Sequence, residues 1–197
     1  HARRLQSEGV EMARAMGAKG SLAIRLGNLI TPELILGKAD AARLHLQELE
    51  IIVPDLGDPN MESGLLANRA ELAFATGDLQ AAIRYLKSAL KIVKEAQTGS
   101  EHTTLITLAI LYLANHDPAA ALKATSKATA LHRAQDFAKP EGTTSQFIWW
   151  WHAQALNANK KNKEARQALE RAYDFLLEQI GGIRDAGLRR NALNKVE

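Results

Sequence analysis

Residues 70–90 read Ala70-Glu-Leu-Ala-Phe-Ala-Thr-Gly-Asp-Leu-Gln-Ala-Ala-Ile-Arg-Tyr-Leu-Lys-Ser-Ala-Leu90. The first arm closes on small residues, Thr76-Gly77-Asp78 supplies a tight turn, and the second arm places apolar side chains at Ala82, Leu86 and Ala89. Residues three or four apart share one face of a helix, so this stretch is predicted to be two helices folded back on one another.

The turn has three counterparts: Leu36-Gly37-Lys38, Asn115-His116-Asp117 and Asn159-Lys160-Lys161, roughly forty residues apart. Measured from Gly37, Gly77, His116 and Lys160, an alanine follows at Ala42, Ala82, Ala121 and Ala165. Further on come Leu46, Leu86, Thr125 and Leu169, then Leu49, Ala89, Ala128 and Ala172. Upstream, Ile30, Ala70, Ala109 and Ala153 share one position, and Leu26, Leu66, Leu105 and Trp149 share another. A large side chain one turn from a small one makes a knob beside a hole, and each hairpin keeps an apolar side that only the next can cover.

The predicted hairpins span about 19–53, 60–97, 101–135 and 142–180, with a leading helix to about Met16 and a terminal helix at about 184–195. Asp58-Pro59 and Asp117-Pro118 read as helix starts, since the acid accepts from free backbone N–H groups and proline needs no donor in the first turn. Gly181-Gly182 reads as a stop, and Thr31-Pro32-Glu33 predicts a kink or break inside the first hairpin. Composition agrees with an all-α class: 46% hydrophobic, only 5 prolines and 5% aromatic residues in 197 positions. One domain over 1–197 is expected. His1 in place of a methionine, the stripe Leu5, Val10, Ala13 and Met16 at one end, and Leu188, Ala192 and Leu193 near the other suggest a segment cut from a longer chain.

These spacings resemble the tetratricopeptide repeat family, in the longer-helix variety of bacterial multidomain signalling proteins, over about residues 20–180. His116 and Lys160 depart from the usual turn glycine, Thr125 from a large apolar residue, and the period exceeds the roughly 34 residues of the common form. The resemblance implies an all-α, right-handed α-α superhelix of about four hairpins plus partial terminal helices, with a concave groove that binds a protein or peptide. Ile183–Leu193 resembles the closing helix of arrays in large bacterial regulators, which implies a signalling context.

Catalytic signatures are absent from the sequence: no G-x-S-x-G turn, no His-Glu-x-x-His pair and no phosphate loop, the run Gly17–Ser21 lacking the required spacing. No catalytic residue and no cofactor is expected. The chain has no cysteine, and its six histidines lack the helical spacing that gathers metal ligands, so no metal site is expected either. Asp55, Asp58, Asn60 and Glu62 lack the glycine and late glutamate of a calcium loop. A net charge of +3, with basic Lys160, Lys161, Lys163, Arg184, Arg189 and Arg190 interleaved with acids, argues against nucleic acid. No apolar run is long enough to span a bilayer, and a cytoplasmic location is expected.

The distinctive cluster is Phe147-Ile148-Trp149-Trp150-Trp151-His152. Successive helix positions turn by about 100°, so three adjacent tryptophans cannot all face one core. Trp149 takes the large packing position, whereas Phe147, Trp150 and Trp151 fall towards the groove; they either pack under a neighbouring or terminal helix or anchor a bound segment. The same register turns Asn28, Asn68, Glu71, Ile110 and Gln154 towards the groove, with Thr103, Thr107 and Asn157, where amides can hydrogen-bond an extended peptide. Two other expectations are a small-ligand sensor closing around Trp150 and Trp151, and self-association through the aromatic face into a homo-oligomer.

Overall fold

The computed structural model describes residues 2–194. Among them there are ten α-helices and no strand: α1 Ala2–Ala15, α2 Lys19–Ile35, α3 Ala39–Ile52, α4 Pro59–Ala75, α5 Leu79–Glu95, α6 Glu101–Ala114, α7 Pro118–Ala134, α8 Ser145–Ala158, α9 Asn162–Gly181 and α10 Ala186–Asn194. A short 3-10 turn, Val53–Leu56, follows α3. The side chains of Leu5, Ala192 and Leu193, and residue 195 of the expected terminal helix, lie outside what is described. Packing divides the chain into two compact units, residues 1–104 and 105–197, the division falling inside α6.

The four turns are built alike although two lack glycine. The N–H groups of Lys38, Asp78, Asp117 and Lys161 donate to the carbonyls of Glu33, Ala73, Tyr112 and Leu156 at 2.8, 2.8, 2.8 and 3.0 Å. The residue before each donor is left-handed: Gly37 at φ 70°, Gly77 at 89°, His116 at 55° and Lys160 at 61°. This is the Schellman closure, which satisfies carbonyls a helix end would otherwise strand. Glycine takes such a φ freely, whereas His116 and Lys160 lose about 1 kcal/mol or more to their Cβ. After two of these turns an aspartate caps the next helix, Asp78 and Asp117 accepting from the N–H groups of Ala81 and Ala120 at 2.8 and 2.9 Å, and Asp58 caps α4 in the same way through the Asn60 N–H at 2.8 Å.

Most repeat positions are core. Ala42, Ala82, Ala121 and Ala165 are buried, as are Leu49, Ala89, Ala128 and Ala172, and Ile30, Ala70, Ala109 and Ala153. Two depart. In α4 it is Leu65 that is buried and its neighbour Leu66 that is half-buried, and in α9 Leu169 is 48% exposed where the equivalent Leu46 is 6% exposed. Leu46 belongs to a cluster sealed by α4, which packs on both α2 and α3 through Met61, Leu65 and Leu72; at Leu169 no later helix among the described residues seals the position.

Of the kink or break expected at Thr31-Pro32-Glu33, the break does not occur. Helix α2 runs unbroken to Ile35, with the Leu36 N–H donating to the Pro32 carbonyl at 3.2 Å. Pro32 sits in the last turn, where it removes one backbone donor and little more, and the burial of Leu29, Ile30 and Glu33 holds that turn in register. At the other end α9 stops at Gly181, and Gly182 has an ordinary φ of −72°.

Candidate functional site

Each unit carries a cavity lined by residues of the groove register. In the first unit, α2 contributes Ile24, Gly27, Asn28 and Thr31, and α4 contributes Asn60, Gly64, Asn68 and Glu71, around about 420 Å³. Gly27 is what permits the approach: a Cβ there would stand 3.0 Å from Asn68 Nδ2. Thr31 Oγ1 donates to Glu71 Oε2 at 2.5 Å. Burial raises the Glu71 carboxyl above its ordinary range, and the Thr31 hydrogen bond opposes that shift. The sequence-predicted Asn28, Asn68 and Glu71 thus share one concavity, two amides and a carboxyl beside exposed Ile24.

In the second unit, α8 contributes Gln146, Phe147 and Trp150, and α9 contributes Leu169, Glu170, Ala172, Tyr173 and Leu176, around about 530 Å³. Phe147 and Trp150 are 43% and 40% exposed, and Tyr173 is 58% exposed. Trp151 lies edge-on to Trp150, ring centres 4.6 Å apart, and to Phe147 at 6.1 Å. Its indole Nε1 is buried with no hydrogen-bond partner among the described residues. Ile110 on α6 and Gln154 on α8 are half-buried and line neither cavity.

The third tryptophan is structural. Trp149 is buried and donates its indole N–H to His132 Nδ1 at 3.0 Å. A lone pair must therefore sit on Nδ1, so in the neutral ring His132 carries its proton on Nε2, 3.1 Å from Ser145 Oγ. Phe137 and Phe175 close around this pair, with ring centres 5.4 and 5.3 Å from His132. Arg171 lies 4.6 Å from the Phe137 ring centre and Arg133 lies 4.6 Å from that of Trp149, both in the range of a cation–π contact.

Sequence reasoning missed the α9 half of the aromatic groove, because Leu169 and Ala172 occupy core positions of the repeat. The available signal was that Tyr173 and Leu176 extend the α9 apolar stripe beyond those positions.

The model of the tetratricopeptide repeat family matches residues 61–134. Residues 61–134 are tetratricopeptide repeats. Solved structures extend the fold beyond that window. A variant of the TPR-like repeats of a Podosopora anserina kinesin light chain is 21% identical with a TM-score of 0.63, covering 90% of this chain and 92% of that one. MamA is 11% identical with a TM-score of 0.54, covering 93% and 96%. BtubC from P. vanneervenii is 16% identical with a TM-score of 0.53, covering 93% and 92%. At such identities the likeness shows the fold, an all-α TPR-like solenoid. No curated protein sequence matches the chain. Tetratricopeptide repeats generally mediate protein–protein interaction, and such scaffolds are typically non-enzymatic. Among the described residues no helix is long and apolar enough to cross a membrane.

Proposed function

We propose that residues 1–197 form one protein-interaction module, serving a larger bacterial regulatory protein in the cytoplasm, and that its main contact is the α8–α9 groove, which takes an apolar helical segment of a partner protein. One observation carries this reading. Phe147, Trp150, Leu169, Ala172 and Leu176 hold the repeat positions of Ile24, Gly27, Leu46, Leu49 and Val53. In the first unit α4 packs on that surface and buries the last three. In the second unit the same surface is bulkier, aromatic and open. Large rigid side chains bury much area for little lost entropy, which suits an anchor. The regulatory context is supported by the resemblance of Ile183–Leu193 to array-closing helices.

The Asn28, Thr31, Asn68 and Glu71 cavity supports a second, polar contact, in which amides and a carboxyl hydrogen-bond an extended stretch of the same partner. The test is selection of amphipathic helical peptides from a displayed library on the intact chain, followed by affinity measurement on Phe147→Ala/Trp150→Ala and on Asn68→Ala. Selected peptides should bind the aromatic double variant at least about thirtyfold more weakly, a hot-spot loss of roughly 2 kcal/mol. Equal affinity for wild type and double variant would remove the groove from the proposal. Light scattering across a dilution series separates the self-association reading, which requires a mass that falls on dilution and with the double variant.

A further inference from the structure

Two positions of the second unit depart from leucine, the commonest residue at each in the other hairpins, and they touch each other. Thr125 stands where the other hairpins have Leu46, Leu86 and Leu169, and His152 stands where Leu29, Arg69 and Leu108 stand. Thr125 is fully buried. Its hydroxyl donates to the Leu122 carbonyl at 3.2 Å, so the same oxygen is left to accept, and His152 Nδ1 lies 3.0 Å from it. The Nδ1–H of His152 is thereby committed to Thr125, and Nε2 carries the lone pair. Burial, reinforced by the positive charge of Arg133, pushes the His152 pKa down to about 4, so the ring is neutral at physiological pH.

His152 lines a cavity of about 320 Å³ with Ser126, Arg133, Trp149, Lys161 and Gln167. This volume lies at the lower bound of small-molecule sites. Arg133 is held by the Trp149 ring beneath it, which leaves its N–H fork uncommitted to any carboxylate among the described residues. Lys161 also lacks an ion-pair partner among them, and Glu164, on the same wall, is bonded to neither cation. The cavity therefore presents two cations, a hydroxyl and an amide as donors, one opposing carboxylate, and one imidazole lone pair as acceptor.

We propose that this cavity binds inorganic phosphate, with Arg133 and Lys161 on its charged oxygens and His152 Nε2 accepting from the hydroxyl that the monohydrogen ion keeps at neutral pH. A sulfate, fully deprotonated at neutral pH, satisfies the cations and leaves His152 with nothing to accept. The proposal is independent of the α8–α9 groove, which lies on other residues of the same helices.

The test is calorimetric titration of the intact chain with inorganic phosphate, glycerol phosphate and sulfate at constant ionic strength and neutral pH. Expected is saturable binding of inorganic phosphate at least about tenfold tighter than sulfate and tighter than glycerol phosphate, whose dianion also lacks the phosphate hydroxyl; tighter binding of the monoester overturns the proposal. Arg133→Ala, at an exposed position, should weaken phosphate about tenfold or more. His152→Leu, which installs the residue of two other hairpins, should erase the preference over sulfate while some anion binding persists. Phe147→Ala/Trp150→Ala should bind phosphate as wild type does, which separates this site from the proposed groove. Absence of saturable heat, equal affinity for phosphate and sulfate in wild type, or indifference to Arg133→Ala overturns the proposal.

Discussion

The hairpin α2–α3 and the hairpin α8–α9 share one register and differ in chemistry. In the first, Gly27 is small enough for Asn68 to lie against it and Leu46 is sealed by α4. In the second, Trp150 fills the place of Gly27 and Leu169 stays half in water. The interiors diverge as well. Leu29 and Leu46 are plain apolar packing, whereas their counterparts His152 and Thr125 form a hydrogen-bonded pair beside a buried histidine. The repeat period dictates where helices pack; the side chains at a few positions dictate whether the packed surface is finished.

The strongest way to break this comparison is to hollow both interiors at the equivalent site. Trp149→Ala should cost about 3–5 kcal/mol and Leu26→Ala somewhat less, because only the former strands a hydrogen-bonding partner, His132 Nδ1, as well as leaving a cavity. Urea unfolding followed by circular dichroism measures both, and a reversed order would contradict the assigned roles. A second experiment exchanges the surface residues. Gly27→Trp should destabilise by about 1–3 kcal/mol through overpacking against Asn68, whereas Trp150→Ala should cost about 1 kcal/mol, since its ring is 40% exposed and its packing is chiefly the edge-on contact with Trp151.

Acidification sharpens the contrast between the interiors. His152 has its folded pKa depressed from an ordinary 6.5 to about 4, so the unfolded chain takes up its proton first, and stability present above pH 6.5 is lost as pH falls towards 4. Discounted for partial solvent access, this amounts to about 1.5 kcal/mol. The Thr125→Leu/His152→Leu variant should lose that component, seen as a flatter profile of melting temperature between pH 7 and pH 4. The smallest effect lies in the turns: His116→Gly should gain about 0.5–1 kcal/mol and Gly77→Ala should lose about as much, because both positions hold positive φ.

The helices were legible in the sequence because their determinants are local. Turn residues, aspartate caps and the alternation of large and small side chains identify four hairpins without knowledge of what packs on what. The break expected at Pro32 shows the limit, since burial of Ile30 and Glu33 outweighs one lost donor. Asn28 and Asn68 hold one register position on successive first helices and Glu71 follows Asn68 within α4, so the sequence places them on one side, and the structure adds that they line a common cavity. Leu169 was not legible, because the same leucine is core or surface depending on whether a later helix arrives, and that is a tertiary fact. The cavity at His152 escaped notice for a related reason: Thr125 and His152 are ordinary separately, and their meaning arises only from the 3.0 Å between them.

One row of side chains has a further bearing on how such chains can be recombined. Gly27, Ala67, Ile106 and Trp150 occupy a single repeat position and grow in bulk from one end to the other. A gene duplication of the last hairpin would therefore present an indole where the copy needs a hollow, whereas duplication of the first would present the hollow intact. Tandem copying at the glycine end would keep that hollow, and at the tryptophan end would set the copy on an aromatic surface instead.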